Sequence, residues 1–332
     1  MKRLDPVEEK FLNTIKENNL INEGDVIVIG VSGGPDSITL LTCLNKYKNK
    51  FNCKLIVAHI NHLIREDSTE DEQYVENFCK KIDVPVYIKR VDILKLADEW
   101  KKGTEETGRI IRYEFFDEIA KKEKANKIAI AHNMNDNAET ILLNIIRGSG
   151  LSGLEGIQPY KYNKYIRPII NCTREEIEEY CKKNNLMPRI DSTNKENIYK
   201  RNIIRNELIP YLKKINPSIV ETLSRTSRIV KENNEYIGKQ AKVTYERIAT
   251  ETEKTVEFKL ADFNSQEKAI QNMLILTAIK RLTGDIRNIE KSNIDDIVKL
   301  AQRKIGNKHM VINKYIKIEV KNHLIKISCE NT

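Results

Sequence analysis

The sequence predicts an α/β protein: a doubly wound parallel sheet followed by a second, smaller α+β domain. Short, almost wholly apolar runs alternate with amphipathic segments through the first half of the chain, as a parallel sheet covered on both faces requires. The pattern changes character at Lys213–Ser218, where Pro217 marks a joint. A length of 332 residues suits two domains at roughly 150 residues each. The expected division is residues 1–215 and 216–332.

Taken in order, the candidate strands of the first part are Val26–Val31, Leu55–Ile60, Val86–Val91 and Lys127–Ala131. The candidate helices between and after them are Asp36–Tyr47, Ser68–Lys81, Thr104–Lys122 and Asp136–Arg147. A glycine-rich turn, Gly148–Gly156, leads to a strand-like Tyr165–Ile170. Thr173 with Glu176 three residues on reads as a capping box for a helix to Asn184, and Arg201–Leu212 reads as a further helix. Beyond the joint come a long polar helix (Ser218–Arg247), a strand at Val256–Leu260, and helices at Ser265–Leu282 and Ser292–Arg303. Three strands follow, His309–Ile312, Tyr315–Val320 and His323–Ser328. The dipeptides Asn313-Lys314 and Lys321-Asn322 separate them as turns, because Asn tolerates a positive φ.

Composition removes several classes. Hydrophobic residues make up 40% and charged residues 32%, enough for a core under a charged surface and unlike a disordered chain. No apolar run approaches the roughly 18 residues of a membrane span, and the N-terminus lacks the apolar core of a secretory signal, so no membrane partner and a cytoplasmic location are expected. The six cysteines include no C-x-x-C pair, which argues against a disulfide framework or a structural zinc site. The net charge is +9, and Lys299–Lys326 holds eight basic side chains against Glu319 alone. That ribbon reads either as ordinary solvated lysines or as a surface for a polyanion such as RNA.

The strongest local signal is Val26–Val31 running into Ser32-Gly33-Gly34-Pro35-Asp36-Ser37 and then an apolar helix. Two glycines after a strand let backbone N–H groups turn around an anion, the helix N-terminus points at the same place, and Ser32 and Ser37 add hydroxyls. The Walker A lysine is absent, and Asp36 stands near where it would be. A carboxylate at the lip of a phosphate loop makes sense with Mg²⁺ between them.

This loop is identified as the pyrophosphate-binding loop of the ATP pyrophosphatase (PP-loop) superfamily. Further stretches narrow the resemblance: His59-Ile60-Asn61-His62, Glu106 through Arg109 and Arg112 to Tyr113, Ala131-His132 through Asp136 and Glu139 to Thr140, Arg147 through Leu154, Ile166-Arg167-Pro168, Asp191-Ser192-Thr193-Asn194, and Arg201 through Arg205. Together and in this order they closely resemble the bacterial tRNA(Ile)-lysidine synthetases, in detail over residues 20–215 and more weakly beyond. One departure stands out. The family's usual His-His-x-Asp-Asp-Gln reads here His132-Asn133-Met134-Asn135-Asp136-Asn137.

The resemblance implies an adenine-nucleotide alpha-hydrolase-like fold and an ATP-dependent ligase that adenylates the wobble cytidine of tRNA(Ile) with a CAU anticodon and joins free lysine to it. It leaves open whether the chain acts as a homodimer. Ser32–Ser37 would hold ATP. The strand order would bring Asp36 toward Asp136 as a Mg²⁺ cradle, although Asp136 also reads as a helix cap. Arg112, Asp36, Asp136 and His132 are the expected catalytic set, His132 as the base for the lysine amine. Arg109 and Arg112 would take the α-phosphate or a substrate carboxylate, and Glu139 either the lysine ammonium or its own helix end. Arg201 and Arg205, beside Lys195 and Lys200, form an expected basic edge for tRNA phosphates. His59 and His62 are expected to line the cleft. A tRNA thiolase of the same superfamily and a catalytically silent tRNA-binding module are the rival readings.

Overall fold

The computed structural model describes residues 4–63, 68–189, 200–286, 289–303, 308–313 and 315–329. The Asp191–Asn194 motif, Lys195, Lys304 and Lys314 lie outside the described residues. The chain forms two compact units, Met1–Arg228 and Ile229–Thr332.

The first unit runs α1 (Pro6–Asn18), β1 (Val26–Gly30), α2 (Pro35–Tyr47), β2 (Lys54–Asn61), α3 (Ser68–Lys81), β3 (Val86–Arg90), α4 (Ile93–Trp100), α5 (Thr104–Lys122), β4 (Lys127–Ala129), α6 (Met134–Ile146), α7 (Leu151–Leu154), β5 (Tyr160–Lys161), β6 (Tyr165–Ile166), α8 (Arg174–Lys183), α9 (Lys200–Ile203) and α10 (Ile209–Ile215). Its sheet has the order β3-β2-β1-β4-β6-β5, parallel except for the β5–β6 edge pair. The chain therefore leaves β1 toward β2 on one side and returns to β4 on the other, which opens a crevice above the C-terminal ends of β1 and β4.

Alternation along the strands explains why both faces are covered. Ile27, Ile29, Leu55, Val57 and Ala129 pack on one face in a core with Phe11, Leu41, Ile177 and Tyr180. Val28, Ile56, Ala58 and Ile128 pack on the other with Phe115, Phe116 and Ile119 of α5. Successive strand residues point to opposite faces, so a strand buried on both reads as a continuous apolar run.

Several elements go beyond the expected set. In α1, Val7, Phe11 and Ile15 recur every four residues and are buried, but the surrounding charges dilute that period in the sequence. α4 is short and is capped by Asp92. The expected helix Arg201–Leu212 is instead broken into α9, a π-helical turn at Ile204–Leu208, and α10. Pro210 explains the break: its ring clashes with the carbonyl four residues back in an α-helix, and the widened turn accommodates it.

The long helix α11 (Ile219–Ile248) crosses the division between the two units, which falls at 228/229 rather than at the expected 215/216. Within the first unit, Val220 shares a small core with Met134, Ala138, Ile204 and Ile209, and the Ser227 hydroxyl donates to the Glu155 carbonyl at 2.6 Å. The first turns of α11 are thereby bound to the α/β layer.

The second unit holds β7 (Ala249–Glu251), β8 (Thr255–Lys259), α12 (Leu260–Asn264), α13 (Lys268–Thr283), α14 (Lys291–Gln302), β9 (Lys308–Ile312), β10 (Ile316–Lys321) and β11 (Leu324–Cys329). The sheet is antiparallel, in the order β7-β8-β11-β10-β9. Ile316, Ile318, Val320, Ile325 and Ile327 face a core shared with Leu274, Ile275 and Ile297 from the helices. The β10–β11 turn is centred on Asn322-His323, both at positive φ, one residue later than expected. The ladder that pairs Lys321 with Leu324 fixes this register.

The basic ribbon is less bare than the sequence suggests. Lys317 pairs with Glu319 at 3.1 Å, Lys326 with Glu257 of β8 at 3.1 Å, and Lys299 with Asp296 at 3.2 Å. Folding brings in acids that lie outside the counted stretch.

Gly30, the last residue of β1, is required by close approach. A Cβ there would lie 2.4 Å from Phe116 Cζ. Gly30→Ala should destabilise the protein by about 1–3 kcal/mol through overpacking. Gly30→Ala/Phe116→Leu should recover part of this in chemical denaturation, whereas strictly additive effects would show that the ring is not the obstacle.

Candidate active site

The loop after β1 is braced by its own serines. Gly34 is the N-cap of α2 with Pro35 next, and Gly33 has φ 91°, a left-handed conformation that suits glycine. The Ser37 hydroxyl donates to the Gly34 carbonyl at 3.0 Å and accepts from the Ser32 N–H at 3.2 Å. Ser32 Oγ lies 3.3 Å from Ser37 Oγ and accepts from the Gly34 N–H at 3.4 Å. From β2, His59 is buried and its Nδ1–H donates to the Val31 carbonyl at 2.8 Å, which holds the strand-to-loop junction.

Two carboxylates converge across the crevice, and one side chain joins them. Asn133, fully buried, is the N-cap of α6: its Oδ1 accepts from the Asp136 N–H at 2.9 Å and its own N–H donates to Asp136 Oδ2 at 3.1 Å, a reciprocal capping box. The Asn133 amide donates to Asp36 Oδ1 at 2.8 Å. Asp136 is therefore the N3 member of the capping box, and Asn133 links it to Asp36. Burial, and then the charge of Asp136, push the Asp36 carboxyl up to about 6.

Arg201 and Arg205 do not form an outward basic edge. Arg201 donates to Glu139 Oε2 at 2.8 Å and to Asp136 Oδ1 at 3.2 Å. Arg205 donates to Glu139 Oε1 at 2.6 Å, to Glu139 Oε2 at 2.9 Å and to Asp136 Oδ1 at 3.2 Å. Burial works against both guanidinium charges, but the two carboxylates outweigh it and raise both above the ordinary arginine value. Glu139, 1% exposed, faces these arginines rather than its own helix end. The physical reason is pairing: a carboxylate so deeply buried has to be matched by cations.

Arg109 stacks over the Tyr113 ring at 5.1 Å, and Glu106 pairs with Lys102 instead of with Arg109. Arg112 lines the cleft, where burial holds its pKa below the ordinary arginine value. His132 accepts at Nδ1 from Arg167 Nε at 3.0 Å, and Arg167 also donates to the Gln158 carbonyl at 2.8 Å. Burial, and then the charges of Arg167, Arg201, Arg109 and Arg112, drive His132 well below the ordinary histidine pKa. This geometry disfavours the expected role of His132 as base. Its basic nitrogen is occupied, and its protonated form is disfavoured.

A cavity of about 350 Å³ opens beside the loop, lined by Ser32, Asp36, His59, His62, Arg112 and His132 among others. It lies where β1, β2 and β4 end. His62 Nδ1 and His59 Nε2 are buried without a hydrogen-bond partner among the described residues. Burial first, and then Arg112, lower the His62 pKa to about 4.

A family model described as a PP-loop domain matches residues 4–212. The chain is 48% identical over 297 residues to the tRNA(Ile)-lysidine synthase of Clostridium acetobutylicum, covering 89% of this chain and 64% of that one. It is 42% identical over 325 residues to the tRNA(Ile)-lysidine synthase of Clostridioides difficile, covering 97% and 70%. The chain belongs to the tRNA(Ile)-lysidine synthase family. It spans about two thirds of the length of these curated relatives. Among solved structures, the U34-tRNA thiolase NcsA from Methanococcus maripaludis, with its 4Fe-4S cluster, aligns with a TM-score of 0.57 at 22% identity over 68% of this chain and 78% of that one. That likeness concerns the fold alone.

Within this family framework the three asparagines of the His132–Asn137 stretch each have a structural partner. Asn133 joins the carboxylates, Asn135 Oδ1 accepts from the Arg174 N–H at 3.0 Å, and Asn137 Oδ1 accepts from the Ile157 N–H at 2.7 Å. Sequence reasoning missed Asn133 and Arg167 as site residues. Asn133 carried a signal, since Asn three residues before Asp is a capping pattern. Arg167 carried none beyond its place in the Ile166-Arg167-Pro168 motif.

Asp36→Asn should abolish turnover and stabilise the ligand-free protein. The folded pKa lies above the ordinary 3.8, so the folded state binds the extra proton between pH 3.8 and about 6, and ionisation destabilises it as pH rises through that window. The variant should gain about 3 kcal/mol at pH 7.5 and nothing below pH 4. Equal melting temperatures for wild type and variant at pH 7.5 would refute the burial argument.

Proposed function

We propose that the chain is an ATP-dependent ligase that joins free lysine to the wobble cytidine of CAU-anticodon tRNA(Ile), acting in the cytoplasm. The observation that carries this reading is the Asn133 link between Asp36 and Asp136 above a phosphate loop, in a chain of the lysidine synthase family. ATP would place its phosphates on the backbone N–H groups of Ser32–Ser37 and its nucleoside in the adjoining cavity.

The donor set fits Mg²⁺. Asp36 offers a hard oxygen beyond its bond from Asn133, and Asp136 would join it on release of its ion pairs with Arg201 and Arg205. Mg²⁺ is ordinarily held by one or two carboxylates plus substrate phosphates. When bound, Mg²⁺ neutralises charge on the departing pyrophosphate.

In the first step the cytosine carbonyl oxygen attacks the α-phosphorus, forming an O–P bond as the Pα–O bond to pyrophosphate breaks. In the second, the lysine amine forms a C–N bond to the same ring carbon and AMP leaves with the oxygen. The amine's proton goes to a site carboxylate, because His132 is committed to Arg167. Substrate lysine would exchange ion pairs with the protein. Its ammonium would take Glu139, and its carboxylate would take the arginines that Glu139 now holds.

The thiolase reading is disfavoured by the thiols. Cys43, Cys79, Cys172 and Cys181 are buried, and burial pushes Cys43 and Cys79 up to about 12, far from the reactive thiolate form. The silent-module reading leaves the loop, Asp36 and Asp136 without a task.

Incubation with ATP, isotope-labelled lysine and CAU-anticodon tRNA, followed by nucleoside mass spectrometry, tests the proposal. The expected product is a cytidine heavier by one lysine less one water, with one AMP and one pyrophosphate released per event. A sulfur-containing nucleoside in a parallel incubation supplied with sulfide would select the thiolase, and no ATP cleavage in either would select the silent module.

A further inference from the structure

We propose that Arg167 is a positioning residue that locks the proton of His132 onto Nε2, and that this N–H is a donor to an anionic oxygen of the bound nucleotide, its α-phosphate. The assignment rests on the reading of the cavity as an ATP site. It gives a task to an arginine that the mechanism above leaves unused.

The argument begins with what a guanidinium can do. Arginine is always protonated and has no acceptor, so a hydrogen bond from Arg167 Nε to His132 Nδ1 requires a lone pair on Nδ1. A neutral imidazole with a lone pair on Nδ1 carries its proton on Nε2. An imidazolium has no lone pair to offer, so the doubly protonated form would lose this bond and face a buried cation. Arg167 is itself fixed. It is 5% exposed, and its second branch donates to the Gln158 carbonyl at 2.8 Å in the turn before β5.

The other nitrogen is available to a ligand. His132 lines the cavity, and no partner is recorded for its Nε2 among the described residues. The largest charges acting on this ring are Arg167, Arg201, Arg109 and Arg112. Arg201 is paired with Glu139 and Asp136, and Asp36 lines the same cavity, so Arg167, Arg109 and Arg112 set the positive field here. A corner with these charges is built for an anion, and a neutral N–H donor within it adds direction to what the arginines supply as field. The ring follows β4, on the opposite side of the crevice from Ser32–Ser37. A phosphoryl group reaching from the loop toward β4 would therefore meet it.

The test separates this assignment from the proposed activity. In full-length protein with ¹⁵N-labelled histidine, with the His132→Gln spectrum used for assignment, Nδ1 of His132 should be pyridine-like and Nε2 pyrrole-like from pH 6 to 8. Added AMP should shift the Nε2 resonance and added adenosine should not. Arg167→Met should release the ring to a tautomer mixture that protonates as pH falls. By calorimetry, His132→Ala should weaken AMP binding and leave adenosine unchanged. In turnover, His132→Ala should lose about 10²–10³-fold, the usual effect of removing one transition-state donor, while His132→Gln, which restores an N–H near Nε2, should recover to within about tenfold of wild type.

A pyridine-like Nε2 in wild type would overturn the lock. Equal loss of AMP and adenosine binding in His132→Ala, or a His132→Gln variant as inactive as His132→Ala, would overturn the donor role. The tautomer and AMP measurements do not require lysidine formation, so its failure would strike the proposed activity without deciding this assignment.

Discussion

The bond from the Asn133 amide to Asp36 holds the two halves of the crevice in register. β1 and β4 are neighbours in the sheet, yet the ladder between them ends at Ile29 and Ala129. A buried side chain anchored to Asp136 at both its own amide and its backbone spans the gap. Its carbonyl and its N–H are committed to the helix terminus, so its amide has a fixed direction. Everything that approaches from α6 inherits its position from this joint, including the pair of carboxylates and the arginines that answer them.

Charge organises the rest of the site. Asp136 and Glu139 lie one helical turn apart on α6 and face Arg201 and Arg205, themselves four residues apart on the following helical segment. Buried groups in two-against-two balance avoid the penalty of an isolated ion, and they remain exchangeable because each has a counterpart of equal charge. The π-helical turn that carries Arg205 also resolves the conflict that Pro210 imposes on the helix, so one local irregularity serves both backbone and site.

Much of the frame was legible in the sequence. The four main strands could be read because two-sided burial leaves runs without polar breaks, and the phosphate loop because only glycine suits the turn at Gly33. Other features were not legible, for physical reasons. Helical spacing groups Arg201 with Arg205 but does not say whether they face solvent or a carboxylate. His132 and Arg167 are 35 residues apart, and only the β4–β6 pairing brings them together. β7 has three residues, too few for a period. Lys326 reads as free charge until β8 delivers Glu257. The approach of Asp36 to Asp136 was the topological contact that was expected, while the capping pattern at Asn133, although local, was missed.

The interlock at Gly156 bears on how such a site tolerates substitution. A Cβ at this position would stand 2.1 Å from Asn137 Oδ1, and the same oxygen accepts the N–H of Ile157. The longer glutamine usual at this place in the motif would have to seat one more methylene in a space already filled. Exchange of Asn137 for a longer side chain therefore requires the neighbouring turn to shift. Residue 137 and the path of the glycine-rich turn are coupled, so a substitution at either position is felt at the other.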